Sequence, residues 1–126
     1  MEGAYDMSYL SYLLQQLIEK REQLIRLKNT KTTILNLQDI LVKQELSVDE
    51  PALTASLWNG NTARSFVDKR EVVKSSYIDI TYSQVGNAIK VIDDKISSIQ
   101  VDIQTLEIKI EMEKARIENE RRVENR

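Results

Sequence analysis

The 126-residue chain contains neither cysteine nor histidine. Without cysteine there are no disulfides, thiolate zinc sites or cysteine nucleophiles. Without histidine the commonest metal ligand and the commonest general base are both missing. Three glycines are too few for a phosphate-cradling loop, and a single proline leaves little to punctuate a complex fold. Long apolar runs are absent as well, because Lys and Glu interrupt every stretch that would cross a bilayer. The acidic start, Met1 to Asp6, is not followed by the apolar core of a Sec signal peptide, so synthesis in the cytoplasm is expected. Neither sign of charge dominates: the formal net charge is −2, so no bulk field favours nucleic acid or anionic lipid. Aromatics are 6% of the chain, mostly tyrosine, and do not alternate with basic residues as stacking platforms would. Catalysis would have to run on carboxylates, lysine or tyrosine displayed on helices. The expectation is a protein that is not an enzyme, holds no cofactor or metal and does not insert into membranes.

Charged residues at 30% and hydrophobic ones at 41% match long amphipathic helices. Leu10, Leu13, Leu17, Leu24, Leu27, Ile34 and Leu41 keep the alternating three-four spacing that turns one stripe toward a partner helix. Lys20, Lys31 and Gln38 share that register and interrupt the seam, and Asn29 to Thr33 is the weakest helix-forming stretch. Helix one is predicted over about 6–46. Ser47, Val48, Asp49, Glu50 and Pro51 end it, and Asp49 is placed to cap a short helical segment leading into a turn, together about 51–60. Asn61 or Thr62 is the expected cap of helix two, predicted over about 62–118.

Helix two carries the stronger pattern. Ile78, Tyr82, Val85, Ile89, Ile92, Ile96, Ile99, Ile103, Leu106, Ile110, Glu113 and Ile117 alternate four-three, and only Glu113 is not apolar. Tyr77 to Tyr82 alternates like a strand, but its neighbours favour helix. The charged tail, 119–126, is expected to fray. The predicted fold is all-α: one domain, 1–126, forming an elongated, coiled-coil-like antiparallel two-helix hairpin with a Trp-x-Gly turn. Its seam is Leu10, Leu13, Leu17 and Leu24 against Ile89 to Ile110.

A lone pair of helices leaves each seam residue partly wet, while ordering a residue costs about 1–2 kcal/mol, so further cover is expected. Val101, Ile108, Met112 and Ala115 lie more than about a hundred degrees round helix two from its seam, alongside the segment with Tyr5, Tyr9 and Tyr12. They are either scattered surface apolars or a partner-helix interface, with Tyr9, Tyr12, Val101, Ile108 and Met112 as the interface residues. The charge run Glu19 to Lys28 reads as a solvated face, and the paired acids Asp93 and Asp94 diverge on a helix rather than converge on a metal or substrate.

The only tryptophan sits in the only strong turn, Trp58-Asn59-Gly60, and Phe66, Asp68, Arg70 and Glu71 follow it. Trp58 either closes the turn by packing on the helix ends or also anchors something outside. This string between two helices resembles the WXG (ESAT-like) family of type VII secretion, and within it the small helical partners of LXG-type toxins. The resemblance is detailed over Leu53 to Tyr77 and architectural elsewhere; Trp58 and Gly60 match the motif, and Asn59 is its free position. It implies a chaperone-like partner that binds the helical region of an LXG-type toxin, with a second small helical protein as an optional companion, and accompanies it to a type VII machine. The tip, Trp58 and Gly60 with Phe66, would be read by that machine. The family's C-terminal Tyr-x-x-x-acid or Phe-x-x-x-Asp export signal is not met: Gly86 stands four after Tyr82, and Arg70 four after Phe66. The export signal would then sit on another subunit. A cytosolic adaptor or self-assembling scaffold, and an antitoxin-like masking protein, are the alternatives from the residues alone.

Overall fold

The computed structural model describes residues 2–45, 47 and 60–125, with side chains at 8–45, 47 and 64–125. It is all-α: α1 spans Glu2–Gln44, α2 Gly60–Ile78, and α3 Val85–Glu124, with a π-helical segment, Asp79–Gln84, joining α2 to α3. No strand occurs among the described residues. Trp58, Asn59, the Asp49 cap and the short segment of about 51–57 lie outside them. Gly60 is the first residue of α2, so Asn61 and Thr62 stand within its first turn instead of capping it.

The chain gathers into two compact units, one of Met1–Asn29 with Asp93–Arg126 and one of Thr30–Ile92. In the first, α1 and α3 run antiparallel. Leu13 and Leu17 pack with Ile110 into a small core, flanked by Leu10, Ile103 and Leu106. Only four apolar side chains are buried among the described residues: Leu13, Leu17, Ile99 and Ile110. Each contributes roughly 1.5–3 kcal/mol, so stability rests on few positions. Polar pairs brace the edges of this core. Half-buried Lys20 reaches Asp102 at 3.4 Å, and Arg21 reaches Glu107 at 3.3 Å.

Glu113, in seam register, is buried as well. Arg116 grips its carboxylate with two guanidinium nitrogens, and its third nitrogen reaches Glu120 at 2.7 Å. A buried carboxylate is tolerable when it is paired this way. Past this cluster α3 continues helical to Glu124, where the sequence predicted fraying. Pairs at helical spacing hold those turns: Arg116 with Glu120, and Arg122 with Glu118 at 3.5 Å.

The second unit is held differently. Its one buried side chain among the described residues is Thr81, inside the π-helical segment. Gln38 donates from Nε2 to the Thr81 carbonyl at 3.0 Å, and the Tyr77 hydroxyl donates to the Leu41 carbonyl. As α1 advances from 38 to 41, its partners step back from 81 to 77, which is antiparallel pairing again. Ser47 closes α1 by donating its hydroxyl to the Gln44 carbonyl at 2.6 Å.

Here the structure corrects the expected register. Ile78 and Tyr82 are exposed, and Tyr77 and Thr81 take the inward positions. The cause is the π-helical segment: the Val85 N–H bonds the Ile80 carbonyl, five residues back. A π turn takes up one residue more than an α turn, so the inward stripe slips by one on its N-terminal side. From Val85 onward the four-three spacing and the inward-facing residues agree.

Candidate partner-binding surface

The unit built from 1–29 and 93–126 turns one stripe of α3 inward and leaves another outside. Ile96, Ile99, Ile103, Leu106 and Ile110 are buried or half-buried, as are Leu10, Leu13, Leu17 and Leu24 on α1. Val101, Ile108 and Met112 are 60%, 62% and 67% exposed. Ile108 lies five residues past Ile103, hence about 140° round the helix. With Thr105 and Ala115 these side chains run Val101, Thr105, Ile108, Met112, Ala115, a second four-three pattern nearly opposite the first. Thr105 is the polar member of this pattern, and Val101, Ile108, Met112 and Ala115 are the apolar ones.

Beside this stripe lies a groove of about 260 Å³. Tyr9, Tyr12, Gln16 and Lys20 of α1 line one wall, and Asp102, Thr105 and Lys109 of α3 the other, with Leu13 and Leu106 also lining it. The two tyrosines are about half exposed. Thr105 belongs to both groove and stripe, so the two form one continuous surface. The predicted interface residues Tyr9, Tyr12, Val101, Ile108 and Met112 all sit in this unit. Thr105 and Lys109 were not singled out from sequence, because neither is apolar; the spacing of Thr105 between Val101 and Ile108 was the available signal. Leu14, Ile18 and Ile25 on α1 are further exposed apolar residues without sequence notice.

The remaining predicted residues fall in the other unit or outside the described residues. Ile89 and Ile92 are half-buried in the first turns of α3. Phe66 is exposed on α2 with the Arg70 guanidinium 5.2 Å from its ring centroid, a cation–π contact. Gly60 opens α2, and Trp58 is not among the described residues.

The electrostatics show local pairing. A hydrogen bond from the Tyr82 hydroxyl to Glu45 at 2.8 Å holds that phenol above the usual tyrosine range. Lys43, hydrogen-bonded to Asp39 at 2.8 Å, is raised likewise. Among the described residues no three acidic side chains converge as metal ligands would, and no helix is long and apolar enough to cross a membrane.

Paired helices with an outward apolar stripe define a class, that of small all-helical proteins. More particularly, the chain belongs to the YwqH-like family, whose model matches residues 7–121. No curated protein and no solved structure matches the chain.

Proposed function

We propose that the protein is a non-enzymatic helical partner of an LXG-type toxin, binding the toxin's helical region and promoting its type VII secretion. The observation that carries this reading is the second four-three stripe on α3, exposed beside the Tyr9–Tyr12 groove in the unit of 1–29 and 93–126. Such a stripe is suited to receive an amphipathic helix. Membership of the YwqH-like family over residues 7–121 supports it, alongside the resemblance that Trp58 and Gly60 carry to the partners of LXG-type toxins. A thin core supports it too, because four buried apolar side chains among the described residues leave much for a partner helix to cover.

On this reading the work divides between two surfaces. The stripe and groove hold the toxin, and the Trp58–Gly60 tip with Phe66 is read by the secretion apparatus. The chain is made in the cytoplasm and travels with, or prepares, a complex whose export signal sits on another subunit. The test is co-expression of the tagged chain with the helical region of an LXG toxin encoded beside it, followed by affinity capture and a secretion assay in the host. Trp58→Ala should leave capture intact and reduce secretion. Ile108→Asp with Met112→Asp should weaken capture, because unpaired carboxylates would be buried under the partner helix. A Trp58→Ala chain that loses the complex, or an Ile108→Asp/Met112→Asp chain that retains it fully, counts against this division.

A further inference from the structure

The surface on α3 has edges of opposite charge. Lys109 and Arg116 fall on one side of the Val101–Ala115 stripe, and Glu111 and Glu118 on the other, by helical spacing. The neighbours of these charges differ. Arg116 is held by Glu113 and Glu120, and within the groove Lys20 is matched to Asp102. Lys109 lines the same groove and makes no ion pair among the described residues. Tyr9 and Tyr12 line it too, and neither hydroxyl makes a hydrogen bond among the described residues. One ammonium and two phenolic O–H groups are therefore donors gathered at one groove, beside an apolar stripe. On the far edge, Glu111 and Glu118 meet only exposed lysine or arginine on their own helix, at 3.6 and 3.5 Å. Such surface pairs are worth little and exchange readily for others.

We propose that this surface seats a partner helix of defined charge layout. Apolar residues at four-three spacing would lie over Val101, Ile108 and Met112. An edge of Asp or Glu would face Tyr9, Tyr12 and Lys109, and an edge of Lys or Arg would face Glu111 and Glu118. This rests on the helical-partner reading above and adds the chemistry of the partner and, with it, the direction in which it lies. Reversing a helix end for end exchanges its edges, so a helix acidic on one edge and basic on the other docks one way round. A second copy of this chain fits less well. Laid antiparallel on itself, the stripe sets like edge against like edge. Laid parallel, the base facing Glu111 is Arg116, which two carboxylates already hold.

The test uses the purified full chain and three synthetic amphipathic helices of the stripe's length, identical in their apolar residues. One has an acidic and a basic edge, one two basic edges, and one two acidic edges. Fluorescence anisotropy should rank the mixed-edge helix first, about 5–10-fold tighter than either other, the sum of a few exposed ion pairs. Lys109→Glu should transfer the preference to the helix with two basic edges, and Met112→Asp should weaken all three. Equal binding of the three helices, or no change of rank with Lys109→Glu, overturns the proposed charge layout. So does absence of binding, or a dimer of the free chain in analytical ultracentrifugation that Met112→Asp dissociates. A mixed-edge helix that binds when the toxin's helical region does not would leave this inference standing and remove the toxin reading. Toxin capture indifferent to Lys109→Glu and to the helix series would do the reverse.

Discussion

Thr81→Val should make the protein more stable, although it removes a polar group from the middle of a helix. Thr81 is fully buried, and its hydroxyl oxygen has no hydrogen-bond partner among the described residues. In the unfolded chain water satisfies that hydroxyl, so folding leaves it uncompensated at a cost of about 1–3 kcal/mol. Valine has the same branched shape and a similar helix propensity, so neither the packing nor the backbone should have to change. The bond from Gln38 to the Thr81 carbonyl uses the main chain and survives the substitution. The expected gain is about 1–2 kcal/mol, seen in urea melts followed by far-UV circular dichroism as a midpoint about 0.5–1 M higher with an unchanged slope. Thr81→Ser is the companion variant. It keeps the hydroxyl and loses a buried methyl, and should cost about 1 kcal/mol. The ranking Val above Thr above Ser is the signature. A Thr81→Val protein no more stable than the parent would mean that the hydroxyl is satisfied after all, and would refute the reasoning.

Two further substitutions test the fold directly. A β-carbon built on Gly86 meets nothing within 4 Å, so Gly86→Ala should stabilise by about 1 kcal/mol through helix propensity alone, and a lower melting temperature would show that the backbone there is not free to be plain helix. Ile99→Ala should cost about 2–5 kcal/mol, as for a fully buried aliphatic side chain, whereas Ile108→Ala in the free chain should stay within about 0.5 kcal/mol; equal costs in a thermal melt would erase the distinction between the two faces of α3.

How far these faces could be read in advance differs along the chain. From Val85 to Ile117 spacing alone located the inward stripe, because isoleucine recurs there in one register for longer than the second stripe, Val101 to Ala115, keeps its own. Before Val85 it misled. Ile78 and Tyr82 are more apolar than Tyr77 and Thr81, so a count of hydrophobic positions prefers the wrong pair. What reverses that preference is hydrogen bonding to main-chain carbonyls, from Gln38 to Thr81 and from Tyr77 to Leu41, which periodicity does not register. In the charged tail a count of charges passes over the matching of acid and base at helical spacing, Arg116 with Glu120 and Arg122 with Glu118. The outward apolar residues on α3 were visible in the sequence. The groove was not, since Tyr12 and Lys109 are nearly a hundred positions apart and polar residues form much of its wall.

The π-helical segment has a consequence for chain length. The inward residues Arg70, Lys74, Tyr77, Thr81, Val85, Ile89 and Ile92 are spaced four, three, four, four, four, three. Removing any one residue between Thr81 and Val85 changes that series to an unbroken alternation of four and three, which an ordinary α-helix satisfies. The segment therefore behaves as a stored insertion, a single extra residue absorbed in one turn. A chain shortened there by one, at Ser83 for instance, should keep both halves of its inward stripe, whereas the same deletion at Gln100 would rotate everything beyond it by about 100° and turn Ile103, Leu106 and Ile110 away from Leu13 and Leu17. Between α2 and α3, length can vary where the helix has already learned to be one residue too long.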